Sequence, residues 1–375
     1  MRITLVTESC QPVGEPTLKA TTDRLVDLGH DVRLVAPAPG MTDYRRCRVD
    51  RVTPLDRRGT QVRAAIDAHR PDVVHVTDPG PLGRRALAHA RRRGIPTLVV
   101  QQQAVPAASL DRWRLRVGAR ADRVVVTARW HADRLAEAGV RAETWLPGVD
   151  TAAFSPALRD PWLHDRWARA RSAEGPLVVV GYVGGLHKRH GVRHLAALGQ
   201  VPGIRPVLVG DGPQRQWLAT RLPGAKVTGP LAPGDLAVAM ASLDVLVHPG
   251  EEETCCHALR AAGASGVPVV APRSGGAREL VRPLETGLLH PPGDPLGLAR
   301  AVAVLAGDRH RALLGRRARE LATTRSWPDA VDELVERHLA PLAAASTGRR
   351  APREGRPVTI PGSTTDRAPK FLTRR

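Results

Sequence analysis

The chain of 375 residues is longer than one ordinary domain and suits two domains of about 150 residues each. Hydrophobic residues make up 42%, enough to bury a sizeable core, which excludes wholesale disorder. Fifty-six basic against 37 acidic residues leave a formal charge of +19, which permits attraction to nucleotides, lipid headgroups or nucleic acid without choosing among them.

Residues 2–7 predict a strand, followed by a Gly/Pro-bearing loop over 9–17. A helix over 18–28 stops at Gly29, and 31–36 forms the next strand. The apolar runs 72–76, 97–100 and 123–127 have strand length, each separated from the next by helical pattern or turn residues. Continuous apolar strands alternating with amphipathic helices indicate a parallel, doubly wound sheet. Residues 147–175 lack that rhythm and are rich in Pro, Trp and Arg, as an interdomain connection would be.

A second series then begins, with strands expected over 177–183, 206–209, 226–228, 244–248 and 268–271. Helices are expected over 214–221, 233–241, 254–264 and 295–306. The fold class is therefore α/β, with two Rossmann-like doubly wound units in series facing each other across a cleft. Ser326-Trp327-Pro328 opens an amphipathic helix to about residue 342. Beyond it an Arg/Pro/Thr-rich stretch without periodicity predicts a disordered tail. From Thr347 onward that tail carries eight basic and two acidic residues, +6 of the total, which leaves +13 on the body. Only four lysines occur (Lys19, Lys188, Lys226, Lys370), so arginine carries most of the charge.

Cys10, Cys47, Cys255 and Cys256 are too few for a disulfide framework and show no CxxC spacing, which points to a reducing cytoplasm. The apolar run 3–6 is too short for a signal-peptide core. No run approaches the roughly 18 apolar residues of a membrane span. The expectation is a cytoplasmic protein, at most peripheral on an anionic membrane face.

Four short patterns carry chemistry. Gly184-Gly185 follows a strand and precedes the cationic run His187-Lys188-Arg189-His190, which suits an anion cradle as well as a solvated basic turn. Gly210-Asp211-Gly212-Pro213 would let backbone approach a ligand at the sheet's carboxyl edge, or make an ordinary turn. His248-Pro249-Gly250-Glu251-Glu252-Glu253-Thr254 brings three carboxylates to a strand-to-helix junction, where they could cap the helix or grip sugar hydroxyls. Gly275-Gly276 follows the last of the buried apolar runs.

The succession Gly181-Tyr182-Val183-Gly184, Val209-Gly210-Asp211-Gly212-Pro213, Val227-Thr228-Gly229, Asp244 through Pro249, Glu253-Thr254, Ala264 through Ala271 and Gly275-Gly276 with Glu279 resembles retaining glycosyltransferases of family 4. Val6-Thr7-Glu8-Ser9, Pro147-Gly148-Val149-Asp150-Thr151 with Phe154, and Arg325-Ser326-Trp327 extend the likeness to roughly residues 1–342. Within the family it is similar to actinobacterial GDP-mannose-dependent α-mannosyltransferases. The resemblance implies the GT-B fold, with an acceptor domain over 1–160 and a nucleotide-sugar donor domain over 161–325. A helix over 326–343 would cross back to the first domain, and 344–375 would be the basic tail.

It further implies no metal and no cofactor beyond the nucleotide-sugar substrate, GDP-mannose being the first candidate. The acceptor would be a lipid, a glycan or a small molecule. Glu253 matches the glutamate that holds the donor sugar, and Gln102 would face the transferred sugar. Gly184, Gly185, Lys188, Arg189, His190, Gly210, Gly212 and Thr254 would line the nucleotide site, with Gly275, Gly276 and Glu279 closing the donor loop. Four places depart from the family pattern, the first being Gly14-Glu15-Pro16, where a Gly-rich donor contact is usual. Ala261 stands where a second glutamate, eight residues after the first, would bind the ribose. Gly185 and His190 stand where an Arg and a Lys would grip the diphosphate, with Lys188 and Arg189 between them. Ala104 follows the Gln101–Gln103 run where an acid or histidine is usual.

The leading expectation is an enzyme that transfers a hexose from a nucleotide-diphosphate sugar with retention. A degenerate GT-B scaffold is the alternative that the substituted donor residues would favour. A nucleic-acid binder would use the charge, but two Phe and two Tyr supply little stacking surface and no helix-turn-helix spacing occurs.

Overall fold

The computed structural model describes residues 1–350 except 10, 12, 13, 54, 55, 171, 173 and 174, and the side chains of 346–350 fall outside the description as well. The first domain is built on β1 (Arg2–Val6), β2 (Asp31–Pro37), β3 (Asp43–Tyr44), β4 (Cys47–Val52), β5 (Val73–Thr77), β6 (Thr97–Gln101), β7 (Arg123–Val126) and β8 (Glu143–Thr144). They lie in the order β3-β4-β2-β1-β5-β6-β7-β8, all parallel except the antiparallel β3–β4 pair. The second domain carries β9 (Val178–Val183), β10 (Ile204–Val209), β11 (Lys226–Gly229), β12 (Val245–Val247), β13 (Val269–Pro272) and β14 (Gly287–His290), in the parallel order β11-β10-β9-β12-β13-β14.

Successive strand residues feed opposite faces, because side chains alternate along a strand. Ile3 and Leu5 enter one core with Leu18, Leu25 and Trp145, while Val6, Val74 and Val76 enter another with Ile66 and Leu87. In the second domain Val179, Val207 and Val209 face one helical layer, and Val180, Tyr182 and Leu208 the other. Each sheet is thus covered on both faces, as an all-apolar parallel strand requires.

The last helices belong spatially to the first domain. Ser326 caps the helix Trp327–Leu334 through a reciprocal capping box with Asp329. Ala330, Leu334, Leu339 and Ala343 complete the first core, Trp145 Nε1 donates to the Ala330 carbonyl at 2.6 Å, and Arg24 grips Asp332 with two hydrogen bonds of 2.7 and 2.6 Å.

Several sequence expectations change. The hairpin β3–β4, the strands β8 and β14 and the helix Thr60–His69 escaped the sequence pattern, β3 and β8 because two residues carry no period. Residues 147–175 are more than a connection. The helix Pro161–Ala168 inside them, capped by Asp160, sends Trp167 and Ala168 into the second domain's core. The helix expected over 254–264 begins only at His257, because Cys256 takes a left-handed φ of 50°. The terminal helix, expected to end near 342, continues as Ala340–Arg350, where a run of alanines favours helix. The predicted disorder from 351 onward lies outside the described residues. Among the described residues no helix is long and apolar enough to cross a membrane.

Candidate functional site

The carboxyl ends of the two sheets meet. Gln102 follows β6, Thr254 follows β12, and the Thr254 hydroxyl donates to the Gln102 carbonyl across the domain boundary. Beside them Cys255 Sγ lies 3.3 Å from Thr127 Oγ1, and Thr17 Oγ1 lies 3.2 Å from His257 Nε2. Burial pushes the Cys255 thiol up to about 12 despite its bond to Thr127. Arg134 reaches Glu252 at 3.4 Å. The domains are closed on each other at this edge.

Glu253 is the centre of the second domain's side. Its Oε1 lies 2.7 Å from His190 Nδ1. Arg189 Nε donates to His190 Nε2 at 3.2 Å, so the ring proton sits on Nδ1 and is donated to Glu253. Burial alone would raise the Glu253 carboxyl; the His190 hydrogen bond is the largest of the effects that outweigh it and hold the group below its ordinary value. Burial also keeps His257 neutral, lowered to about 4, and lowers His248. At neutral pH the His190 hydrogen bond is therefore the group that keeps Glu253 ionised. His248 is buried, with neither ring nitrogen bonded among the described residues.

The turns around Glu253 are packed backbone to backbone. A Cβ on Gly210, whose φ is 137°, would run into the Gly184 carbonyl, so these two glycines let the turns after β9 and β10 touch. Gly212 N donates to Asp211 Oδ1 at 2.8 Å. Gly276 N donates to the Glu253 carbonyl at 2.7 Å, which ties the Gly275-Gly276 turn directly behind the carboxylate. The amides of Gly185 and Gly275 meet no acceptor among the described residues, and Lys188 makes no ion pair there. Lys188–His190 forms one 3-10 turn rather than the start of a longer α-helix.

Three of the sequence-derived residues stand elsewhere than expected. Ala261 is buried in the apolar core of the second domain with Leu259, Ala262 and Val267, and because the helix starts at His257 it shares no helix face with Glu253. Gln102 is already committed: Nε2 donates to Glu15 at 2.6 Å and its backbone N–H to Asp78 at 2.8 Å. Glu279 accepts the backbone N–H groups of Arg129 at 3.0 Å and Trp130 at 2.8 Å, capping the first domain's helix Arg129–Glu137.

Sequence reasoning missed the carboxyl of Asp78 on the first domain's side. Asp78, with a left-handed φ of 44°, accepts on Oδ1 from Gln101 Nε2, Gln102 N and Gln103 N at 3.0, 2.8 and 2.9 Å. Burial pushes its carboxyl up to about 7 against those amide bonds, and Glu15 adds a smaller push in the same direction. Burial likewise raises Glu15 against its Gln102 bond. Thr77-Asp78-Pro79-Gly80 reads in sequence as an ordinary turn, so only the position at the sheet edge distinguishes it.

Two family models cover these two edges, "Glycosyltransferase Family 4" over residues 15–153 and "Glycosyl transferases group 1" over 178–308. The GDP-mannose-dependent alpha-mannosyltransferase of Mycolicibacterium smegmatis is 36% identical over 92% of this chain and 99% of its own length. The enzyme of the same name from Corynebacterium glutamicum is 31% identical over 92% and 90%. The chain belongs to glycosyltransferase family 4. This glycosyltransferase shares the GT-B fold with solved structures such as Anabaena HepE in complex with UDP and glucose, at a TM-score of 0.76 and 21% identity over 91% of this chain and 100% of that one. Sucrose-phosphate synthase from Thermosynechococcus elongatus aligns equally well, at a TM-score of 0.76 and 20% identity over 92% and 100%.

Proposed function

We propose that this glycosyltransferase moves a mannosyl group from GDP-mannose, with retention of configuration, to a hydroxyl of a lipid or glycan acceptor at the first domain's edge. The observation that carries the reading is the Glu253 carboxyl fixed by His190 at 2.7 Å, beside the Gly185 and Gly275 amides that meet no acceptor among the described residues, where the carboxyl edges of the sheets meet. The full-length likeness to mannosyltransferases supports the choice of donor. Glu253 accepts hydrogen bonds from the sugar hydroxyls and sets the anomeric carbon. The Gly185 and Gly275 amides, with Lys188 and Arg189, receive the diphosphate and stabilise the charge that grows on it. The bond from the anomeric carbon to the β-phosphate oxygen breaks with its electron pair going to phosphate. The acceptor oxygen bonds to the same face, and its proton passes to the leaving phosphate oxygen.

A thermal-shift panel of GDP-mannose, UDP-glucose and ADP-glucose tests the donor, since a ligand at 100 times its Kd stabilises by roughly 2.7 kcal/mol. A shift with GDP-mannose, with release of GDP and an α-linked product by NMR when membrane lipids are supplied, is the expected result. No shift with GDP-mannose, or a β-linked product, overturns the reading.

A further inference from the structure

The second domain has a recess of about 550 Å³ at the amino edge of its sheet, the edge opposite Glu253. Asp244, just before β12, and Ser265, shortly before β13, line it together with the start of the helix Arg311–Ala322. Strands of three and four residues, a span of roughly 10–15 Å, separate it from the turns that follow β12 and β13. Five arginines face this one space: Arg159, Arg309, Arg311, Arg316 and Arg319.

Two of the five are committed within the fold. Arg159 donates to the Leu243 carbonyl and to Asp244, both at 2.9 Å, and Arg319 donates to the carbonyls of Phe154, Ala264 and Thr151 at 2.7, 2.5 and 3.1 Å. The two carboxylates of the lining are committed as well, Asp244 to Arg159 and His164, Glu320 to Arg317. None of the other three arginines pairs with a carboxylate of the described residues. Arg311 donates only to the backbone carbonyls of Ala306 and Asp308, and the exposed side chains of Arg309 and Arg316 bond nothing there. The helix that carries Arg311 and Arg316 has no acidic residue in its first turn and no side-chain cap at His310. The N–H of Ala312, which lines the recess, meets no acceptor among the described residues. Ser265, 3% exposed, lines it too, and its buried hydroxyl has no partner among them.

Arginines at the start of a helix oppose its dipole, in the place where the fold alone would favour carboxylates. An anion in the recess reverses that sign, since it meets the free amide, the positive helix end and guanidinium forks that match phosphate oxygens. Three unneutralised positive charges exceed the charge of about −2 on a single phosphate group. No aromatic ring lines the recess to stack a base, and no exposed large apolar side chain lines it to enter a bilayer. We infer that this recess is a second anion site, separate from the donor edge, which binds a small molecule carrying two or more phosphates. Arg309, Arg311, Arg316 and the Ala312 amide hold it. Arg319 of the same helix grips the Thr151 and Phe154 carbonyls of the crossing segment, so an occupant also braces the join between the domains. The inference does not depend on the donor or acceptor of the transfer reaction.

Calorimetric titration of sodium tripolyphosphate into the full-length protein, at constant ionic strength and with GDP in excess, tests it. The expected result is one saturable binding event and a higher melting temperature. Arg309→Ala combined with Arg316→Ala should weaken binding by about tenfold or more. Neither side chain bonds within the fold, so this variant reports on binding rather than folding. Lys188→Ala, in the donor-edge turn, should leave the affinity unchanged. So should Arg112→Ala combined with Arg116→Ala, which removes two exposed arginines of the first domain. Absence of saturable binding, a loss in Lys188→Ala, or an equal loss in the Arg112 and Arg116 variant overturns the inference. So does tripolyphosphate affinity that survives the Arg309 and Arg316 substitutions while binding to phosphatidylglycerol vesicles is lost, which would make the patch a membrane contact.

Discussion

Glu279, in the second domain, accepts the backbone N–H groups of both Arg129 and Trp130 in the opening turn of a first-domain helix. That helix has no side-chain cap of its own at Ala128, so its N-terminal amides are satisfied from across the boundary. A carboxylate there also meets the positive end of the helix dipole. This one of the interdomain contacts is made by a single side chain and can be tested by removing it.

Glu279→Ala should loosen closure. Loss of a cap of this kind costs about 1 kcal/mol, or a melting shift of about 2–4 °C for a domain of this size. Cys255, buried at the same boundary with its thiol pushed up to about 12, should then react faster with a thiol reagent at pH 8. Equal labelling rates in variant and wild type would show that Glu279 does not hold the domains together.

His190→Ala should move the acid limb of the transfer reaction. The Glu253 carboxyl lies below its ordinary value, so its ionised form and the stability it contributes are present above the unfolded value and lost as pH falls through the folded one. Without the His190 bond, burial dominates and the carboxyl titrates at higher pH. The rate of GDP release from GDP-mannose, measured against pH, should fall at a higher pH in the variant. An unshifted limb would place the essential ionisation elsewhere.

Asp78→Asn should flatten the pH dependence of stability. The wild-type carboxyl holds its proton up to about 7 in the fold, whereas an unfolded chain releases it nearer 4. Through that window the unfolded state binds fewer protons, so stability declines as pH rises. Asparagine keeps an oxygen to accept the amides of Gln102 and Gln103 but has nothing to titrate. Melting curves from pH 4 to 8 should therefore fall less steeply for the variant, and parallel curves would show that Asp78 titrates normally.

Truncation before Ser326 should unfold the first domain rather than the second. Ala330, Leu334 and Leu339 complete the first core, and without them the truncated chain would expose the first-domain residues they cover and leave the buried Trp145 Nε1 without its acceptor. Near-UV circular dichroism and limited proteolysis should show loss of first-domain structure. A protected first domain would mean that the crossing helix is dispensable.

What the sequence by itself determined is the architecture. Runs such as Leu98–Val100 and Val178–Val180 are apolar at every position, and only a parallel strand covered on both faces buries both sides of such a run. The turn that carries Glu253 and the glycine turns were legible from residue type after a strand end, and the helix opening at Ser326 from its amphipathic period. The short strands β3 and β8 were not, because two residues cannot show a period. The left-handed Cys256 was equally hidden, and it moves the start of the helix that carries Ala261 from 254 to His257. Tertiary structure decided everything that needs a partner distant in the chain: Gln102 bound to Glu15 and Asp78, and Glu279 capping Arg129 and Trp130. Charge, burial and hydrogen bonding depend on distances through space, and a residue's neighbours along the chain do not report them.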